Sequence, residues 1–270
     1  MGRLSGRVAF VTGAARGQGR SHAVRLAREG ADVIVVDICA QIASVPYELA
    51  TLADLAETKR LVEAEGRAAI SCQVDVRNVE GLRTAVAEGE AALGPISIVV
   101  ANAGILSVSA DADQDAVFRD TIDINLVGVW NTVTAAVPSM LAANDGVVIL
   151  ISSTQGLSGA GGDGSAGLTS YTASKHGVVG LMRSFAHWLG PHRIRVNTIH
   201  PTGVNTAMIS NDSVREFAAR HPQATSATAN LLPVSFLEPA DVSDAVAFLA
   251  SDDAKFITGV TLPVDAGFTA

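Results

Sequence analysis

The 270-residue chain is 48% hydrophobic, with a formal net charge of −8, a pI near 5.2 and a mean hydropathy of +0.33. That apolar share can fill a sizeable core, while the acidic balance disfavours nucleic acid or an anionic membrane as partner. Cys39 and Cys72, the only two cysteines, have neither metal-ligand spacing nor a disulfide framework, so reduced thiols in a cytoplasmic protein are expected.

A strand-like run begins within a few residues of Met1, leaving no expected signal peptide, and no apolar run is expected to span a bilayer. Val8–Thr12 is short, β-branched and apolar, and it runs into Thr12-Gly13-Ala-Ala-Arg16-Gly17-Gln18-Gly19. A helical pattern over Gly19–Glu29 and a second strand over Asp32–Asp37 follow. Ile38–Asp54 has no clear period and reads as an insertion. Helix and strand patterns then alternate: Leu55–Glu65, Ala68–Val74, Val79–Leu93, Ile96–Ala101, Asp115–Ala143 and Val147–Ser152. A glycine-rich loop, Gly156–Ser170, precedes a helix over Tyr171–Leu189 and a strand over Ile194–Ile199. Thr206–Pro233 reads as a long polar substrate loop before a helix over Ala240–Ala250 and a seventh strand at Val260–Val264. Such alternation predicts one α/β domain over residues 1–270: a doubly wound Rossmann fold with seven parallel strands and helices on both faces. All three irregular segments follow strand carboxyl ends, where ligands bind in open α/β sheets.

Gly13, Gly17 and Gly19 follow a strand and open a helix, the context in which backbone approaches a pyrophosphate. Gln18 shares the turn. Asp37 ends the second strand, where a carboxylate accepts hydrogen bonds from adenosine ribose hydroxyls and repels a 2′-phosphate; it favours NAD over NADP. Arg16 points the other way, since a cation in the glycine turn could pair with that phosphate. Ile38, Asp75, Val76, Asn102, Ala103 and Gly104 end strands two to four and are expected to line the cofactor crevice. Tyr171 and Lys175, four apart, share one helical face. Lowering a phenol pKa of about 10 by 2–3 units needs roughly 3–4 kcal/mol, and an ammonium about 4 Å away supplies about that much at an effective dielectric near 20. Spacing thus predicts that Lys175 acidifies Tyr171.

In these motifs the chain resembles the short-chain dehydrogenase/reductases over nearly its whole length. The matching set is Thr12-Gly13-x-x-x-Gly17-x-Gly19, Asp75, Asn102-Ala103-Gly104, Asn125, Ser153, Tyr171-x-x-x-Lys175 and Pro201-x-Gly203-Val204-x-Thr206. The resemblance implies NAD(P)-linked oxidation of an alcohol or reduction of a carbonyl, read here with Asp37 as NAD acting on a secondary alcohol or ketone, with Asn125, Ser153, Tyr171 and Lys175 as the catalytic set. It further implies cofactor contacts from Tyr171, Lys175, Pro201, Gly203, Val204 and Thr206, and a homotetramer or dimer; the six histidines show no paired metal spacing, so no metal is expected. Thr202 intervenes where the family has adjacent Pro-Gly, and the long interval before Tyr171 leaves Ser152 as an alternative to Ser153. Asp37-Ile-Cys-Ala-Gln-Ile and the Pro46-Tyr47 turn resemble the mycofactocin-associated, carveol-dehydrogenase-like subgroup. That likeness implies tightly held NAD, recycled in place by a redox carrier such as mycofactocin. Met208, Ile209, Phe217, Leu231 and Leu232 suggest a hydrophobic, terpenoid- or steroid-like substrate. An NADPH-linked 3-oxoacyl-carrier-protein reductase is the rival enzyme, which Asp37 opposes. A non-catalytic dinucleotide sensor is a third reading, opposed by the intact Ser/Tyr/Lys set.

Overall fold

The computed structural model describes residues 2–109, 111–222 and 229–270. All seven strands, β1 (Val8–Thr12), β2 (Asp32–Asp37), β3 (Ala69–Gln73), β4 (Ile98–Ala101), β5 (Gly146–Ile151), β6 (Ile194–Pro201) and β7 (Thr261–Val264), join one parallel sheet in the order β3-β2-β1-β4-β5-β6-β7. The strands are runs of Val, Ile and Ala because both faces are covered. Val8 and Phe10 pack on one face with Leu82, Val133, Met140 and Met182, while Ala9 and Val11 pack on the other with Ala23, Leu26, Leu55 and Val246. One face is therefore covered by α3 (Val79–Leu93), α5 (Gly128–Ala143) and α6 (Ala166–Leu189), and the other by α1 (Gly17–Arg28), α2 (Leu52–Ala64) and α8 (Pro239–Ala250). The order reverses between β1 and β4, and the cleft opens at the carboxyl ends there.

Four sequence expectations need correcting. Helix α6 begins at Ala166, not Tyr171, because Ser165 caps it and Gly167 lets the helix approach the 102–109 segment. A Cβ at Gly167 would stand 1.7 Å from the Ser107 carbonyl oxygen. The 206–233 loop contains α7 (Asp212–Arg220), started by the Asn211 side chain accepting from the Val214 amide at 3.1 Å; residues 223–228 lie outside the described residues. The 115–143 helix is interrupted: α4 (Gln114–Ile122) passes through a π-helical turn, Asp123–Val127, into α5. Finally, Gln114–Ala143 is long and apolar enough to cross a membrane, with a mean hydropathy of 1.4. Its apolar side chains have a partner within the domain, where α4 packs on α6 and α5 on β4 and β5.

Candidate active site

At the end of β1 the backbone turns through left-handed glycines, Gly13 (φ +65°) and Gly17 (φ +56°). A Cβ at Gly13 would stand 2.8 Å from Ala103 Cα, and one at Gly19 only 2.0 Å from the Gly13 carbonyl oxygen, so side chains there would force the turn and β4 apart. Helix α1 follows with Arg16 at its N-cap, and no side chain caps its first-turn amides. By contrast Thr51, Asn78, Asp113, Ser165 and Asn211 cap α2, α3, α4, α6 and α7. Free N–H groups at the positive end of the helix dipole suit a pyrophosphate.

This turn floors a cleft that gathers Gly13, Arg16, Gly17, Gln18, Gly19, Asp37, Ile38, Asp75, Val76, Asn102, Ala103, Gly104 and Thr206. Asp37 lies at its far end. Burial pushes the Asp37 carboxyl upward, opposed by bonds from the amides of Ala15 (3.0 Å) and Cys39 (3.1 Å) and by the Arg16 charge. Asp75 also lines the cleft, but its carboxylate is clasped by Arg77 at 2.7 Å. Asn102 ties strands together, donating to the carbonyls of Thr12 (3.0 Å) and Gly13 (3.2 Å).

The 38–54 insertion folds over this end of the cleft, contributing Ile42, Tyr47, Leu49 and Ala50 to its wall. Gln41 organises it by donating to the carbonyls of Val45 (3.0 Å) and Tyr47 (3.1 Å) and accepting from the Leu49 amide (3.0 Å). Ser44 donates to Asp120 at 2.6 Å, and Arg16 donates to the Glu48 carbonyl. The Tyr47 hydroxyl accepts from the Leu106 amide at 3.4 Å, and burial pushes its phenol up to about 12, so it stays neutral.

A second cleft adjoins the first and holds Ser153, Tyr171, Pro201, Gly203 and Val204. Gln18, Thr206 and Met208 line both. The Ser153 hydroxyl neighbours the Tyr171 phenol and favours its ionised form. Ser152 also lines this cleft, but its hydroxyl donates to the Lys175 carbonyl at 3.0 Å. Lys175 and Asn125 line neither cleft but meet behind Gly104: a Cβ there would stand 3.3 Å from Asn125 Oδ1 and 3.6 Å from Lys175 Nζ. Asn125 spends its amide on residue 105, accepting from its N–H (2.8 Å) and donating to its carbonyl (2.9 Å). Lys175 Nζ is buried, donates to the Ile151 carbonyl at 2.9 Å and stands 5.5 Å from the Tyr171 ring centroid. Its own burial pushes the ammonium down to about 8.

The acidified phenol predicted from spacing is not what the protein alone displays. Burial pushes the Tyr171 phenol above its ordinary value, and the only opposing influence is the Ser153 hydroxyl. Desolvation dominates, and the neighbouring ammonium does not lower the phenol.

Two contributors had been given no place in the site from sequence. His200 is fully buried: its Nδ1–H donates to the Ser153 carbonyl (2.7 Å), and its Nε2 accepts from the Thr198 hydroxyl (2.8 Å). It thereby fixes the backbone of the serine that touches Tyr171. Tyr47 is the other; the chain's only two tyrosines, Tyr47 and Tyr171, both stand at the clefts. Of the side chains expected to make the substrate wall greasy, Met208 and Ile209 line the second cleft, together with Phe236 and Phe268. Phe217 instead stacks on His221 (centroids 4.6 Å apart), and Leu231 and Leu232 are exposed.

Residues 7–216 match the short chain dehydrogenase family. The (-)-trans-carveol dehydrogenase of Rhodococcus erythropolis is 49% identical, with 100% of this chain and 99% of that one covered. Among solved structures, carveol dehydrogenase from Mycobacterium avium in complex with NAD superposes with a TM-score of 0.90 at 47% identity, 99% of each chain being covered. A short chain dehydrogenase from Mycobacterium paratuberculosis bound to NAD superposes with a TM-score of 0.92, also at 47% identity and 99% of each chain. With its glycine turn, its Ser153–Tyr171 contact and these likenesses, the chain belongs to the short-chain dehydrogenase family.

Proposed function

We propose that the protein is an NAD-dependent alcohol dehydrogenase that interconverts a hydrophobic secondary alcohol, terpenoid- or steroid-like, and its ketone. The observation that carries this reading is the Ser153–Tyr171 hydroxyl pair facing the second cleft, next to a glycine-floored cleft with uncapped helix amides. The fit to a dinucleotide is good: positive-φ glycines, free first-turn amides and a carboxylate at the far end. NAD, when bound, supplies the hydride acceptor for the carbinol carbon. Ser153 holds the substrate oxygen by a hydrogen bond, and Tyr171 takes the hydroxyl proton as hydride leaves. Lys175, buried behind the phenol, stabilises the charge that Tyr171 then carries, and by the family likeness it would also hold the nicotinamide ribose. Asn125 keeps the 104–105 backbone in place through both ends of its amide, beside which a relay water would sit.

Asp37 supports NAD over NADP and counts against an NADPH-linked 3-oxoacyl-carrier-protein reductase. The pinned insertion supports NAD held tightly and reoxidised in place by an external carrier such as mycofactocin. Trp130 and Trp188, both 47% exposed, supply apolar surface for a homotetramer or dimer.

The test is Tyr171→Phe. Turnover of a terpenoid alcohol should fall by about 10³-fold, within the range for losing a general base, while NAD affinity stays within about twofold. A variant that keeps its turnover would remove Tyr171 as the base.

A further inference from the structure

Thr202 separates Pro201 from Gly203 where the family has them adjacent, and neither the glycine turn nor the Ser153, Tyr171 and Lys175 set uses it. Its hydroxyl donates to Asn230 Oδ1 at 2.8 Å, and the Asn230 side-chain amide donates onward to the Val234 carbonyl at 2.8 Å. The Thr202 side chain thereby closes the 230–234 turn against the end of β6. Just beyond that turn, the Leu237 amide donates to the Gly203 carbonyl (2.9 Å) and the Asn205 amide to the Leu237 carbonyl (2.8 Å). Phe236 is held between these two attachments. Its ring lies on the backbone at Gly203, where a Cβ would stand 2.9 Å from Phe236 Cδ1. Of the exposed apolar side chains Leu231, Leu232, Val234 and Phe236, Phe236 alone lines the second cleft. There it joins Leu106, Leu168, Ile209 and Phe268. A ring left 51% exposed over the cleft that holds Ser153 and Tyr171 has apolar surface for a ligand to cover. A saturated ring suits that wall better than an open chain, since it covers the area without freezing rotatable bonds. We propose that Phe236 selects the substrate's carbon skeleton, packing on the part beyond the carbinol carbon, and that Thr202 is a positioning residue that holds it there through Asn230. The ligand class is a secondary alcohol with a bulky alicyclic body. The proposal rests on the alcohol dehydrogenase reading above.

The experiment mixes protein loaded with NAD in stopped flow with cyclohexanol or 4-tert-butylcyclohexanol, and NADH formation gives a specificity constant for each. The two alcohols share the reacting ring carbon and differ in apolar bulk. Wild type should favour the bulkier one by about 30-fold, within the discrimination that an apolar pocket gives. Phe236→Ala should lower that preference about tenfold. Thr202→Val, which keeps the shape and loses the donor, should lower it about fivefold, the size of one neutral hydrogen bond. Adding Thr202→Val to Phe236→Ala should lower it no further, since both act through the same ring. A wild type that treats the alcohols alike, or a Phe236→Ala that keeps the preference, would overturn the proposal. Equal loss on both alcohols in Thr202→Val would assign the clasp to the fold. Additive losses in the double variant would mean that Thr202 reaches the cleft by another route; either result overturns its positioning role. Should wild type loaded with NAD oxidise neither alcohol, the dehydrogenase reading itself fails and takes this proposal with it.

Discussion

Residues 38–54 border the cofactor cleft and residues 229–236 reach the second cleft through Ser235 and Phe236, yet different forces hold the two. The first segment is short of secondary structure but buried, with Ile42 at 8%, Val45 at 4% and Tyr47 at 8% exposure. Bonds from Arg16, Leu106 and Ser44 connect it to three separate parts of the fold. The second segment leaves Leu231 73%, Leu232 60% and Phe236 51% exposed, and backbone bonds such as that from the Leu232 amide to the Ala266 carbonyl (3.0 Å) tether it. The cofactor end is thus assembled in advance, whereas the substrate end offers apolar side chains with few polar constraints. An apolar wall discriminates by only about 1–3 kcal/mol per methylene, so substrate choice here depends on shape more than on polar recognition.

Acid provides the largest contrast between the two ends. Beneath the second cleft, burial holds His200 down at about 4, with the Ser153 carbonyl opposing and Lys175 and His176 reinforcing the drop. Its folded value is below its unfolded one. The unfolded chain therefore binds the extra proton first, and the stability tied to neutral His200 is complete above about pH 6.5 and lost as pH falls towards 4. That loss amounts to up to about 3 kcal/mol. His22, buried beside Ser243 and held at about 3, adds a similar slope that continues to lower pH. Melting curves of wild type and His200→Asn between pH 7 and 4 should therefore differ by close to one proton in slope. Parallel curves would mean that His200 does not titrate as the geometry requires.

At the other end the charge of Asp37 can be removed while an acceptor is kept for the Ala15 amide. Asp37→Asn should lower the preference for NAD over NADP by about 30-fold, roughly 2 kcal/mol, through lost repulsion of the 2′-phosphate. Specificity constants with both nucleotides check this. An unchanged preference would mean that the Asp37 charge does not set the discrimination.

The strands were readable from sequence because parallel strands buried on both faces leave uninterrupted apolar runs, and the glycine turn because its spacing is imposed by sterics. The start of α6 was hidden: Gly161, Gly162 and Gly164 look like loop, and the reason Gly167 is helical, the Ser107 carbonyl pressed against it, lies 60 residues away in the chain. The His200 contact to Ser153 spans 47 residues and likewise leaves no local pattern. Tyr171 marks a different limit. Four-residue spacing conveys the attraction of the Lys175 charge, but the opposing desolvation depends on everything packed around the phenol.

The smallest effect tests how much the preassembled end owes to a single bond. Tyr47→Phe keeps the ring that packs in the cleft wall and removes only the acceptor for the Leu106 amide, a long bond of 3.4 Å. Losing it should cost about 1 kcal/mol, which corresponds to NAD dissociating about five times faster. Leu106 also lines the second cleft, so the bond links the insertion to the substrate side. Stopped-flow displacement of NAD measures the rate directly, and the KM for the alcohol should stay within about twofold because the apolar wall is untouched. If dissociation is unchanged, the other ties of the insertion suffice. If instead the alcohol KM rises as NAD leaves faster, the two ends are mechanically coupled through the 102–109 segment, and the division between a preassembled cofactor end and an adaptable substrate end gives way to a single clamp.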